Sequence, residues 1–428
     1  MKNLSTSKLS GLQNTWSRIP WGTFLFLLAV FAFSTPLIKF GRPAGPDSAL
    51  AMNELLLQGT WYRQASLLAL AAFALFNILR SKSGRFQING LLGWLILFYL
   101  VWATLSITWS INPLFTLKRV GILLILSISA LYVANRFSLQ ETIALVFFIC
   151  AITILGGVVF LLRHNYFYPF VSWWRFGGNM HPIMQGWHCG LLMLSAFALS
   201  EKAEQNRALY IGISFIAFLL LIITRSRGPF LAFFMGAAVY WSLIISKRYQ
   251  GVLFFLGIII VGCLMYFMLG YDFVSFGEKV IMLGRVGEIE SATTLTGRAP
   301  LWTAAMILVD QRPFVGYGYE SFLTAQNLIW ITEKTGGWTT PSVHSAYIYT
   351  LGGLGYIGGV SLVLILFLSV KKSIGLARRN PEYAFVAAVL VWLTINMIIE
   401  DQILTRPVFP VFLWMILLAR LGFIRQKR

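Results

Sequence analysis

P-S-V-H-S-A-Y (Pro341–Tyr347) marks the point where the only long polar interval of this 428-residue chain, Tyr271 to His344, runs into a hydrophobic helix. The sequence on both sides of that interval reads as membrane. Pro341 disfavours a helical conformation in the residue before it and Ser342 is a good N-cap, which places His344 in the first turn of the following helix. There the positive end of the helix dipole would keep the imidazole neutral and able to accept a proton near neutral pH. A solvated or capping histidine is the plainer reading of the same position.

Hydrophobic residues make up 58% of the chain and charged residues 11%, a balance outside that of soluble globular domains. Segments of about 20 mostly apolar residues can span the hydrocarbon core as helices, and roughly twelve occur. They lie near 22–40, 64–79, 90–108, 120–135, 142–162, 182–200, 208–223, 229–246, 251–270, 345–370, 383–399 and 407–420. The expected fold is an all-α polytopic membrane protein in three parts. Residues 1–270 hold nine spans with short loops, 271–344 form a large helical loop, and 345–428 hold three spans and a basic tail. The first span has no small-residue cleavage site after it and reads as a retained helix. Cys150, Cys189 and Cys263 all fall inside expected helices, where they read as packing residues and not as a disulfide framework or a thiolate metal site.

A net charge of +19 could signal nucleic acid, but the basic residues are dispersed over short loops and the termini, as topology signals are. With Lys2, Lys8 and Arg18 on the cytoplasmic side, the same side receives Arg80, Lys82 and Arg85, then Lys202, Arg207, Lys247 and Arg248. Lys371, Lys372, Arg378 and Arg379 follow, as do Arg420, Arg425, Lys427 and Arg428. The Tyr271–His344 loop is then outside. Lys118–Arg119 and the two arginines of T-R-S-R-G (Thr224–Gly228) are the exceptions.

The outer loops carry the polar chemistry. W-S-I-N-P-L-F-T-L-K-R (Trp109–Arg119) has the aromatics of an interfacial belt, with Lys118 and Arg119 within reach of lipid phosphates. The loop Arg163–Ile183 gathers Tyr166, Phe167, Tyr168, Trp173 and Trp174, which can anchor at headgroups or stack on sugar rings. Its Gly177–Gly178 pair would let backbone approach a ligand near Arg175, Asn179 and His181. His181 and His188 share a helical face, but no third metal ligand has suitable spacing. In T-R-S-R-G, Arg225 and Arg227 stand on a short turn and can hold phosphate oxygens in bidentate geometry; snorkelling to headgroups is the alternative. Within the large loop, L-T-G-R-A-P-L-W (Leu295–Trp302) opens an amphipathic helix over Ala299–Asp310, with Pro300 in its first turn. G-Y-G-Y-E-S-F (Gly316–Phe322) then begins a second short helix, Glu320–Ile331. Arg298 sits at the entry of this lid.

No acidic pair with metal-ligand spacing faces outward; Glu288 and Glu290 come nearest, and Glu400 and Asp401, adjacent on a helix, would point apart. Helix centres nearly devoid of ionisable residues argue against an ion-coupled transporter. Guanidiniums at the outer interface imply an anionic, membrane-borne substrate, and a lipid-linked sugar diphosphate meets both conditions. Fixed arginines can stabilise the departing diphosphate where no metal does so, and a neutral histidine can deprotonate an attacking hydroxyl.

H-S-A-Y-I-Y-T-L-G-G-L-G-Y-I-G-G (His344–Gly359), with S-R-G, L-T-G-R-x-x-L-W and G-Y-G-Y-E-S-F before it, resembles the O-antigen ligase family over roughly Ile222–Val370. The resemblance implies a fold like the C-type glycosyltransferases and a multi-pass enzyme of the bacterial inner membrane. Such an enzyme moves polysaccharide from undecaprenyl diphosphate to the lipid A core oligosaccharide at the periplasmic face, inverting and without a metal or other cofactor. His344 matches the family's essential histidine, Arg298 the arginine of G-R-x-x-L-W, and Arg227 that of S-R-G; Arg225 is included by proximity. Arg175, His181, Tyr319 and Glu320 complete the candidate contacts. O-antigen polymerases and protein O-oligosaccharyltransferases share the superfamily; the latter usually extend beyond the last helices, which favours a ligase here. A lipid-linked sugar flippase and a non-catalytic scaffold are the other classes, the first needing a basic central cavity and the second no His344.

Overall fold

The computed structural model describes residues 61–80, 86–169, 174–178, 180–202, 204–245, 298–335, 342–401, 404 and 407–425. The spans expected at 22–40 and 251–270, the first outer loop, the polar interval before Arg298, and Pro341 lie outside these residues. The chain runs α1 (Trp61–Arg80), β1 (Phe86–Ile88), α2 (Gly90–Leu105), α3 (Pro113–Arg136), α4 (Leu139–Arg163), α5 (Pro182–Ser200), α6 (Arg207–Ile223) and α7 (Arg227–Ile244). After the gap come α8 (Arg298–Gln311), α9 (Ala325–Lys334), α10 (Ala346–Ala377), α11 (Glu382–Ile399), α12 (Phe409–Gly422) and β2 (Phe423–Arg425).

Each of the ten expected spans that fall within the described residues coincides with a helix. Seven of these helices are long and apolar enough to cross a membrane, while Gln64–Arg80, Arg207–Ile223 and Phe409–Gly422 are shorter. The expectation of twelve crossings is therefore met only in part. Helix starts follow local chemistry. Asn112 accepts from Phe115 N ahead of Pro113, and Ser138 with Glu141 forms a reciprocal capping box. Cys150 and Cys189 are buried free thiols in the core.

One end of the bundle is closed by basic side chains and a short ladder. β1 pairs antiparallel with β2, Gln87 opposite Ile424. Lys372 Nζ donates to the carbonyls of Asn89 and Leu421 at 3.3 and 2.8 Å, Arg420 donates to Phe137 O, and Lys202 pairs with Glu382. Lys202, Lys372 and Arg420, expected on one side from their charge alone, thus share one end. The loops that carry the candidate residues gather at the other.

At that other end α10 is kinked. Gly355 adopts φ +67°, outside helical geometry, and this frees carbonyls that a continuous helix would use internally. Gly352 O accepts from Tyr317 N and Gly353 O from Gly318 N, both at 2.8 Å, while Trp102 Nε1 donates to Leu354 O. The turn leading into G-Y-G-Y is held by Trp109 Nε1, which donates to Val315 O at 2.9 Å. Trp109, expected as an interfacial anchor, is therefore a structural donor. The glycines of this stretch allow two backbones to touch: a Cβ on Gly352 would enter the Phe322 ring, and Phe322 is fully buried. The expected second lid helix begins at Ala325, not Glu320, because Glu320 takes φ +58° in the preceding turn. Gly352→Ala should therefore destabilise the protein by about 1–3 kcal/mol through overpacking. Gly121→Ala, whose added methyl meets nothing within 4 Å, should be nearly neutral. Thermal unfolding of both variants in detergent checks this, and equal melting temperatures would overturn the packing assignment.

Candidate active site

Arg298 is the first residue of α8 and Trp302 lies one turn later on the same helical face. Arg298 Nη2 donates to Glu400 Oε1 at 3.1 Å, and Trp302 Nε1 donates to Val343 O at 2.9 Å. The four-residue spacing of R-A-P-L-W thereby fixes both sides of His344 from one lid helix. His344 Nδ1 stands 3.6 Å from Glu400 Oε2, an electrostatic contact longer than a hydrogen bond. Its side chain is 24% exposed, whereas that of Glu400 is 3% exposed.

His344 does not lie in the first turn of a helix, as the sequence suggested. It adopts φ +50° two residues before α10 begins, and Ser345 occupies the cap position. Ser342 is the reason. Its hydroxyl donates to Asp401 Oδ1 at 2.6 Å and accepts from His344 N at 3.0 Å, a local turn that competes with helix. The nearest strong field at the imidazole is thus a carboxylate rather than a helix dipole.

Sequence reasoning overlooked Glu400. Adjacent acids on a helix would point apart, but α11 ends at Ile399 and Glu400 is extended, with φ −147°. Burial raises the pKa of its carboxyl, yet the facing imidazole of His344 and the charges of Arg298 and His181 outweigh burial and hold it below the ordinary value. The signal that could have revealed it is the placing of two acids at the end of an apolar helix, where an uncompensated charge is costly.

The arginine turn abuts the same helix end. α6 stops at Ile223, Arg225 takes φ +51°, and α7 starts at Arg227, so the turn is three residues long. A Cβ on Gly228 would overlap the Ile399 δ-methyl, so glycine lets α7 rest directly beside the residue preceding Glu400. Arg175 braces this turn: its Nε donates to Thr224 O at 2.9 Å and its Nη2 to Ser226 Oγ at 3.0 Å. Phe176 N adds a bond to Ile223 O. Gly177 and Gly178 serve close approach to protein, since Gly178 lies against Gly157 of α4. His181 caps α5, its Nδ1 accepting from Ile183 N at 3.3 Å, and its charge reaches Glu400. His188 is buried farther along α5 with Nδ1 2.8 Å from Met184 O. Among the described residues no cluster of three or more metal-ligating side chains occurs.

Tyr319 and Glu320 belong to a different, buried cluster. Glu320 forms an ion pair with Arg119 at 3.1 Å, and Tyr319 N donates to Ser106 Oγ. Arg119 therefore ties the lid to α3 and is not a lipid contact. The candidate site thus gathers Arg298, His344 and Glu400, with the Arg225–Arg227 turn beside them.

A buried pair broken from one side leaves an uncompensated charge, on the order of 3–5 kcal/mol. Because the folded pKa of Glu400 lies below its ordinary 4.5, the stability it contributes is complete above that pH and is lost as pH falls through the folded value. Glu400→Gln should accordingly show a shallower loss of thermal stability below about pH 4.5 than the wild type, by close to one proton. Identical acid limbs would mean that the carboxylate is not held as described.

Residues 212–363 match the family model described as O-Antigen ligase. No curated protein matches the chain. The matched segment runs from α6 through the kink of α10 and contains Arg225, Arg227, Arg298 and His344, while Arg175, His181 and Glu400 lie outside it. Across this segment, which carries the lid, the arginine turn and the histidine, the chain is similar to the O-antigen ligase family.

Proposed function

We propose that the protein transfers O-antigen polysaccharide from undecaprenyl diphosphate to the lipid A core oligosaccharide at the periplasmic face of the bacterial inner membrane. The observation that carries this reading is the Arg298–Glu400–His344 cluster beside the arginine turn, at the end of the bundle opposite Lys202, Lys372 and Arg420. α7 begins at Arg227 and α8 at Arg298, so two helix N-termini add their partial positive charge where the guanidiniums stand. An anionic group is the substrate chemistry such a field favours.

In the proposed reaction an acceptor hydroxyl attacks C1 of the sugar next to the diphosphate, from the face opposite the leaving group, which inverts that carbon. The C1–O bond to phosphate breaks, its electron pair leaves with undecaprenyl diphosphate, and the hydroxyl proton passes to His344. Glu400 facing Nδ1 favours the tautomer with its proton there, which makes Nε2 the basic nitrogen. Arg225, Arg227 and Arg298 stabilise the charge on the departing diphosphate, the role a metal ion fills in other transferases. Arg298 spends one of its donors on Glu400, so its guanidinium is oriented by the group that also faces the base.

Lipopolysaccharide from a strain lacking this protein tests the reading, with bare core expected. Core carrying a single repeat would instead identify a polymerase. His344→Gln can still hydrogen-bond an acceptor but cannot take its proton at neutral pH, so transfer should fall by about 10²–10⁴ with normal membrane levels. Near wild-type transfer by this variant would remove His344 from the role of base.

A further inference from the structure

Next to the arginine turn, beside Arg175, lies a hollow of about 130 Å³ that none of the assignments above uses. Its wall includes Tyr166, Trp174, Arg175, Gly177, Gly178 and Pro182. Two features shape it. Trp174 is buried and donates its Nε1 to Tyr166 O at 2.8 Å, which fixes the loop carrying Tyr166, while the Tyr166 ring is 51% exposed. Beneath the glycine floor sits Gln185 of α5. It is fully buried, its carboxamide nitrogen and oxygen both lack a hydrogen-bond partner among the described residues, and a Cβ on Gly157 would meet both that nitrogen and Gly178 Cα. A buried carboxamide with neither group paired is costly by itself.

The lining is amphipathic in a particular way. Tyr166, Trp174 and Pro182 offer apolar surface, and Arg175 with the glycine backbone offers polar edges. A pyranose ring has the matching character, an apolar face with a rim of hydroxyls. An isoprenoid chain has no use for the polar edge, and a phosphate has none for the apolar wall. Position narrows the source. Arg175 bonds directly to Thr224 and Ser226, on either side of Arg225, so any group held by that turn has this hollow as its neighbour.

We infer that the hollow is the subsite for the donor's first sugar, the ring bonded to the diphosphate, with Tyr166 as its stacking surface. This rests on the proposed function, since it takes the arginine turn as the diphosphate site. The subsite would make the sugar, and not the lipid alone, a determinant of donor binding.

The test measures binding of two lipids, undecaprenyl diphosphate and undecaprenyl diphosphate-N-acetylglucosamine, to the full-length protein in nanodiscs. Tyr166→Ala, at an exposed ring whose backbone bond to Trp174 is kept, should weaken the glycosylated lipid by about tenfold and leave the bare lipid unchanged. Tyr166→Phe should bind both as the wild type does. Equal affinity of wild type and Tyr166→Ala for the glycosylated lipid, or equal weakening of both lipids, overturns the subsite while leaving the proposed function standing. A loss confined to purified core–lipid A, measured alongside, assigns the hollow to the acceptor and overturns the donor assignment. Failure of the wild type to bind either lipid removes the proposed function and the subsite together.

Discussion

A carboxylate buried at the end of an apolar helix cannot stand alone, and the histidine end of this protein is arranged around that constraint. Glu400 holds Arg298 on one oxygen and faces His344 with the other. The three residues come from the first turn of the lid, the approach to α10 and the exit from α11, which are widely separated in sequence. Charges in such a setting interact far more strongly than at an exposed surface, so each partner restricts where the other two can be. The lid is therefore positioned by the same ion that orients the histidine.

Close approach supplies the rest of the precision. Gly228 lets the arginine turn settle onto Ile399, and the glycines of α10 let G-Y-G-Y-E-S-F lie against a helix whose carbonyls have been opened by the kink at Gly355. Non-helical backbone near a membrane is tolerable only where its polar groups are paired, and here Gly352, Gly353 and Leu354 all find donors. Arg225, Glu320 and His344 each sit at φ between +50° and +58°, a conformation costing a non-glycine residue roughly 1–2 kcal/mol. Such strain persists only where neighbouring bonds hold it, as those of Ser342, Arg119 and Arg175 do.

Apolar run length made the described helices legible, and Pro300 and the following periodicity placed the first lid helix within a residue of its start. The motif residues His344, Arg298, Arg225 and Arg227 were also visible as chemistry. What the sequence hid was pairing at long range. Nothing local distinguishes Glu400 from a solvated acid, or Arg119 from a lysine-like anchor, until the chain brings Arg298 and Glu320 to them. The start of α10 was misplaced because Ser342 is a good cap by type, and only the tertiary partner Asp401 shows that its hydroxyl is used in a turn. The bracing role of Arg175 was hidden for a similar reason: a guanidinium near two glycines gives no sign in the sequence of the Thr224 carbonyl and Ser226 hydroxyl that it holds.

The short ladder between β1 and β2 has a consequence for how such a molecule can vary. It joins residue 86 to residue 425, and Asn89 N and Lys372 reinforce it by bonding to the carbonyls of Gly422 and Leu421. The stretch 86–425 is thereby fastened into a ring at the end remote from the histidine, and α1 attaches outside that ring, on α3. Helices could be gained or exchanged ahead of residue 86 in the course of evolution with little disturbance to the opposite end, where the candidate residues all lie inside the clasp.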